Sequence, residues 1–100
     1  MQFLVKAYDG PNMLDKRMAV RPAHLKGMNQ LGKQILFAGG LLDEAGGMKG
    51  SALVMDFPDR AALDAYIQNE PYVVAGVWEK IDIETVNAVL VGGEKYQSEA

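Results

Sequence analysis

"QILFAGGLLDEAGGMKGSALVMDF", residues 34–57, decides the fold. Two apolar runs, 34–42 and 51–57, flank the Gly-rich "DEAGGMKG", the pattern of a β-hairpin with a flexible tip. Side chains alternate between faces along a strand. Ile35 and Phe37 therefore share one face, and Leu36 and Ala38 the other. In the second run, Ala52 and Val54 oppose Leu53, Met55 and Phe57, and we place Leu53 and Met55 on the outer side. Both faces of the hairpin are apolar, so both need cover.

Outward from the hairpin, helical signals lie on either side. Upstream, Leu14, Met18, Leu25 and Met28 recur at helical spacing from Met13 to Gly32, with Val20 and Leu31 widening the stripe. Asn12 is the expected cap and Asp15 suits the first turn. Pro22 lies inside the pattern. Because Leu14 and Met18 stay in phase with Leu25 and Met28, one continuous helix is expected, distorted near residues 18–22. Before it, "FLVKAY" (3–8) ends in the turn signal "DGPN" and reads as a first strand. Downstream, Asp59 caps a short helix with Leu63, Tyr66 and Ile67 inward, and Asn69-Glu70-Pro71 stops it. "GVWEKIDIETVNAVLV" (76–91) supplies a long last strand.

The order is β-α-β-β-α-β, an α+β ferredoxin-like antiparallel sheet with both helices on one face. The other face needs a different cover, and a second copy of the chain is the simplest one. Residues 1–93 are expected to form a single domain and 94–100 a flexible C-terminal tail.

The chain has 100 residues, 13 acidic against 10 basic, one histidine and no cysteine. That balance, with scattered basic residues, argues against nucleic-acid binding. The lack of cysteine removes thiolate chemistry, disulfides and cysteine-ligated zinc. No apolar run is long enough for a signal segment or a membrane span, so a cytoplasmic protein is expected. One histidine without a carboxylate cluster predicts no metal site, and no cofactor motif is found: "GGLLDEAGG" lacks the ending of a phosphate loop.

His24 falls inside the apolar arc of the first helix, with Arg17 beside it and Arg21 near the centre. Polar groups on a packed face must be paired or must line a cavity. In a cavity His24 is a candidate general acid or base, and Arg17 and Arg21 suit an anionic or phenolic group. A plain core histidine, with the arginines reaching the rim, accounts for the same spacing. Carboxylate partners for His24 are Asp9, at the end of the first strand, and Glu70; we favour Asp9. Tyr72 adds a hydroxyl. Tyr8, Phe37, Tyr72 and Trp78 are candidates to wall an apolar pocket.

"KRMAVRPAHLKGM", "LLDEAGGMKGSALVMDF" and "NEPYVVAGVWEKIDI" together resemble the YCII-related (YciI-like) family from Phe3 to about Val91. The resemblance implies a dimeric α/β-barrel type of ferredoxin-like fold, paired sheet to sheet. It also implies an active site built on a histidine, matched by His24, and an aspartate. The family's Asp-Pro-Tyr is Glu70-Pro71-Tyr72 here, one methylene longer. Asp9 matches an aspartate common at the end of the family's first strand. One branch of the family removes chloride from a chlorinated hydroxyhydroquinone, and related barrels act on small aromatic or lactone compounds.

Two functions remain open at this level. One is a cofactor-free lyase or isomerase for a small cyclic or phenolic ligand, with His24 and Asp9 or Glu70 as catalytic residues and Arg17, Arg21 and Tyr72 holding the substrate. The other is a non-catalytic homodimeric module that binds a metabolite or a protein. A cavity reaching His24 favours the enzyme.

Overall fold

A computed structural model describes residues 1–98. In chain order it has β1 (Gln2–Asp9), α1 (Leu14–Leu31), a 3-10 turn (Gly32–Gln34), β2 (Ile35–Leu42) and β3 (Met48–Asp56). Then follow α2 (Arg60–Asn69), the single turn α3 (Pro71–Val74), β4 (Trp78–Val86), β5 (Leu90–Val91) and β6 (Glu94–Lys95). The main sheet has the order β2-β3-β1-β4 with every pairing antiparallel, the ferredoxin-like arrangement.

The local signals work as their chemistry dictates. Asp59 accepts the Ala62 N–H at 2.9 Å and starts α2. Glu70 has the extended backbone that a residue before proline prefers, and α2 ends there. Asp43 Oδ1 accepts from the amides of Ala45 and Gly47 and closes the hairpin, with Gly46 at a positive φ of 86°.

Several expectations are corrected. The stop of α1 at Gly32 holds, but its start does not use Asn12 as a cap: Met13 occupies that position, and Asn12 takes a φ of 59° in the turn. The last strand stops at Val86, and Leu90–Val91 instead pairs with Glu94–Lys95 as a separate ribbon. Residues 94–98, expected as a loose tail, fold back. The hydroxyls of Tyr96 and Ser98 donate to Asp56 Oδ2, and the Met1 amine lies 3.3 Å from Oδ1. The remaining tail positions lie outside the described residues.

α1 runs unbroken through Pro22, whose ring lies on the exposed side. Pro22 cannot donate to the Met18 carbonyl, and both residues lie on the exposed side of the helix. The buried arc of α1 differs from the apolar one. Arg17, His24 and Met28 are buried, whereas Leu14, Met18 and Leu25 are 49%, 46% and 42% exposed. The helix is turned so that Arg17, Arg21 and His24, flanked by Val20, Met28 and Leu31, face the sheet, while Lys16 and Lys26 stay exposed.

The core sits between the helices and the inner sheet face: Phe3, Val5 and Ala7 of β1, Leu53 and Met55 of β3, and Leu63, Tyr72 and Val77. Leu53 and Met55 are thus inside, the reverse of our assignment, and Ala52 and Val54 point outward. A bulge between Ile35 and Phe37 breaks their alternation. Ile35 pairs with inward Met55 while Phe37 pairs with outward Val54 and is 57% exposed.

The Asp56 cluster carries a pH dependence. Burial alone would raise this carboxyl, but hydrogen bonds from Ser98 and Tyr96 and the Met1 ammonium outweigh it and hold the carboxyl below its ordinary range. A depressed folded value means stability that is present above the unfolded value and lost as pH falls through the folded one. Amide protection in residues 94–98, taken relative to intrinsic exchange at each pH, should therefore fall below about pH 4, near the ordinary Asp value, before the sheet opens. Protection of 94–98 that persists to the global acid transition would show that Asp56 does not hold the segment.

Candidate active site

Four residues of α1, at positions 17, 21, 24 and 28, recur at three- and four-residue steps and so share the inner face. Two of them are charged or titratable and almost fully buried, and each has a carboxylate.

Arg17, 3% exposed, is held by Asp9 at the end of β1. Its Nε donates to Oδ2 at 2.6 Å and its Nη2 to Oδ1 at 3.1 Å, a bidentate pair. Nη2 also donates to Ser51 Oγ of β3 at 2.7 Å, and the guanidinium carbon lies 4.5 Å from the centre of the Tyr72 ring. Such a guanidinium is fully committed, and it ties α1 to β1 and β3.

His24, one further stretch along the same face, meets Glu70 rather than Asp9. Nδ1 lies 2.6 Å from Glu70 Oε1, with both side chains buried. The preference for Asp9 is therefore wrong. At about 1.5 Å of rise per residue, His24 lies more than two turns along α1 from the strand end, and Arg17 takes Asp9 first. Glu70 arrives from the break between α2 and α3, where Pro71 forces the chain to turn inward. It is 1% exposed and fully engaged: Oε1 also accepts the Tyr72 N–H at 3.3 Å, and Oε2 accepts the Tyr66 hydroxyl.

Tyr72 completes the arrangement by stacking on His24, with centroids 4.2 Å apart and planes 24° from parallel. Trp78 meets the His24 ring edge-on at 6.1 Å. The Tyr72 hydroxyl and the Trp78 indole N–H are buried and have no hydrogen-bond partner among the described residues. Burial raises the Tyr72 hydroxyl above its ordinary value, partly opposed by Arg17 and Arg21, so it stays protonated and able to donate.

A cavity of about 110 Å³ opens beside these groups. Arg17, Arg21, His24 and Tyr72 line one side, and Ala38 and Gly40 of the edge strand β2 the other. A Cβ on Gly40 would lie 3.4 Å from the sulfur of Met48, another lining residue, so the missing side chain is what leaves room there. Arg21 makes no ion pair among the described residues, which leaves it as the cation available to the cavity. Tyr8 and Phe37 do not wall it: both point to the outer sheet face. Among the described residues no three His, Cys, Asp or Glu side chains group as metal ligands do. No helix among them is long and apolar enough to cross a membrane.

Ser51, Met48 and Tyr66 belong to the site and were not singled out from the sequence. Only Tyr66 left a signal, four residues before Glu70 on the inward side of a predicted helix.

Residues 1–87 match the family model of the YCII-related domain. The chain belongs to the YCII-related family. Protein YciI of Escherichia coli O6:H1 is 33% identical to this YCII-related chain over 97 residues, covering 89% of the chain and 99% of the relative. Among solved structures, the YCII-related fold matches 5-chloro-2-hydroxyhydroquinone dehydrochlorinase (TftG) of Burkholderia phenoliruptrix AC1100, in complex with 2,5-dihydroxybenzoquinone. That match has a TM-score of 0.82 at 26% identity, covering 87% of this chain and 94% of that one. An antibiotic biosynthesis monooxygenase shares the fold at a TM-score of 0.56 and 16% identity, covering 89% of this chain and 98% of its own. These matches bear out the α+β ferredoxin-like reading.

Proposed function

We propose that the chain is a cofactor-free enzyme of the lyase or isomerase kind, acting on a small cyclic or phenolic compound. The observation that carries this reading is the buried His24–Glu70 pair at the edge of a cavity. The similar dehydrochlorinase, with its bound dihydroxybenzoquinone, supports the small-molecule class.

With Nδ1 donating to Glu70, the neutral ring has its lone pair on Nε2, the nitrogen left to serve the cavity. Nε2 takes a proton from a ligand hydroxyl or an activated carbon, and the Glu70 carboxylate stabilises the resulting imidazolium. The electron pair left behind moves into the ring system, where it expels a leaving group or is reprotonated at another atom. Arg21 and the Tyr72 hydroxyl face the developing oxyanion. Arg17, which the sequence offered as a substrate ligand, is instead a structural group that shapes the wall and holds Tyr72.

Size limits the pose. A cavity of about 150 Å³ encloses a benzene ring, so a ring here sits partly in the mouth beside β2. The outer sheet face favours a homodimer: Leu4, Phe37, Val54, Val86 and Leu90 line an apolar cleft of about 360 Å³ on it.

The test is thermal stabilisation by a panel of phenols, quinones, lactones and hydroxy acids, followed by turnover of whatever binds. His24→Ala should lower turnover of a bound substrate by roughly 10²–10⁴-fold, measured below the reduced melting temperature that an unpaired Glu70 brings. Tyr72→Phe removes a buried hydroxyl without a partner, so the unliganded protein should melt no lower than wild type, yet ligand stabilisation should shrink. Binding without turnover by any panel member would favour the non-catalytic module, and a His24→Ala protein with full turnover would remove the histidine from the mechanism.

A further inference from the structure

Glu70 needs three torsions fixed before it can hold the His24 ring, and only its Oε1 is engaged from the cavity side. Oε1 accepts from His24 and from the Tyr72 amide, both of which lie on that side. Oε2 is engaged from behind by Tyr66, a residue of α2 that lines no part of the cavity beside His24. The Tyr66 ring is itself fixed by stacking on Phe57, with centroids 5.9 Å apart. We propose that Tyr66 is a positioning residue: its hydroxyl keeps Glu70 oriented toward His24, and thereby keeps the His24 lone pair on Nε2, facing the cavity.

A carboxylate 1% exposed has no solvent to serve an unpaired oxygen. If the Tyr66 hydroxyl is removed, the Glu70 carboxylate gains by rotating toward another donor. It then stops being the acceptor that fixes the Nδ1–H form of the ring. Burial and then the Glu70 hydrogen bond push the Tyr66 hydroxyl far above its ordinary range, so it stays protonated and donates at neutral pH. Tyr66 therefore acts by holding geometry and does not shuttle a proton. Position 66 lies one helical turn before position 70, so a hydroxyl there reaches Glu70 across the break that Pro71 makes.

The inference rests on the proposed role of His24, but its test needs no substrate. His24 is the chain's one histidine, so nitrogen-15 spectra of the ring contain a single pair of signals. At a pH where the ring is neutral, the wild type should show the Nδ1–H pattern, with Nε2 as the unprotonated nitrogen. In Tyr66→Phe, which keeps the ring stack on Phe57, the two nitrogen signals should move toward each other as the Nε2–H form becomes populated. Placing 4-aminophenylalanine at position 66 restores a donor and should restore the wild-type pattern. In a Glu70→Leu background the acceptor for Nδ1–H is gone, so adding Tyr66→Phe should change nothing further in the ring pattern. A Tyr66→Phe protein that melts lower but keeps the Nδ1–H pattern overturns the proposal and leaves Tyr66 a staple between helices. Should that variant not fold, the wild type still decides. A slowly exchanging Tyr66 hydroxyl proton is expected, and its absence counts against the proposal. Failure of the catalytic reading would show instead as absent ligand turnover with the ring pattern unchanged.

Discussion

Asp9→Ala is expected to lower the stability of the fold by about 3–5 kcal/mol, the range seen when one partner of a buried ion pair is removed. The effect comes from what is left behind. Arg17 is 3% exposed and keeps its charge at every accessible pH, so without Asp9 a guanidinium stays buried with Ser51 as its remaining strong acceptor. For a chain of this length about 1 kcal/mol shifts Tm by roughly 4–8 °C, so the melting transition should fall by more than about 10 °C. The double variant Asp9→Leu/Arg17→Met removes both charges and should recover most of the loss, since replacing a whole buried pair by apolar groups is often neutral. A single Asp9→Ala change within about 1 kcal/mol of wild type would mean that Arg17 reaches water in solution and that α1 is not pinned to β1 by this pair. Denaturant melts of the three proteins give the comparison.

A charge on the outer sheet face should act on association instead. Val54 points outward beside Phe37, while its neighbour Met55 is fully buried under the helices. In a twofold homodimer each substitution enters the interface twice. Val54→Glu would thus bring two carboxylates together on the surface that Leu4 and Phe37 make apolar. A penalty of about 3 kcal/mol corresponds to roughly a hundredfold rise in Kd. Sedimentation at micromolar concentration should show the wild type as a dimer and Val54→Glu as a folded monomer. Met55→Glu, one residue on, should fail to fold at all. A wild-type monomer at that concentration removes the dimer, and a Val54→Glu dimer moves the interface to another face.

The contrast between Val54 and Met55 marks one limit of reading structure from sequence. Alternation shows which side chains share a face, but both faces of this hairpin are apolar, so nothing local says which one the helices cover. The bulge after Ile35 adds a second ambiguity, because an extra residue inverts the alternation and leaves no mark in hydropathy. The topology was legible because it is written in breakers and caps: Asp59, Pro71 and the glycines of the hairpin act within a few residues of themselves. In the site, the inward placement of Arg17, Arg21 and His24 follows from spacing along one helix. Their partners do not, since pairing depends on how α1 lies across the sheet. Leu14, Met18 and Leu25 misled for a related reason: counting apolar residues assumes that burial is driven by hydrophobicity, whereas α1 turns Arg17 and His24 inward to meet Asp9 and Glu70.

His24 and Glu70 are separated by 46 residues, and they come from opposite halves of the β-α-β repeat. Neither half has a favourable fate on its own. The first would have to bury an imidazole with no acceptor, and the second a carboxylate whose only donors are Tyr66 and its own backbone. Each half therefore makes the other worth folding, and a chain with one half formed gains little over a chain with none. Cooperativity is then a property of the His24–Glu70 pair as much as of the core. Selection that keeps the pair would also keep half-folded molecules scarce during synthesis.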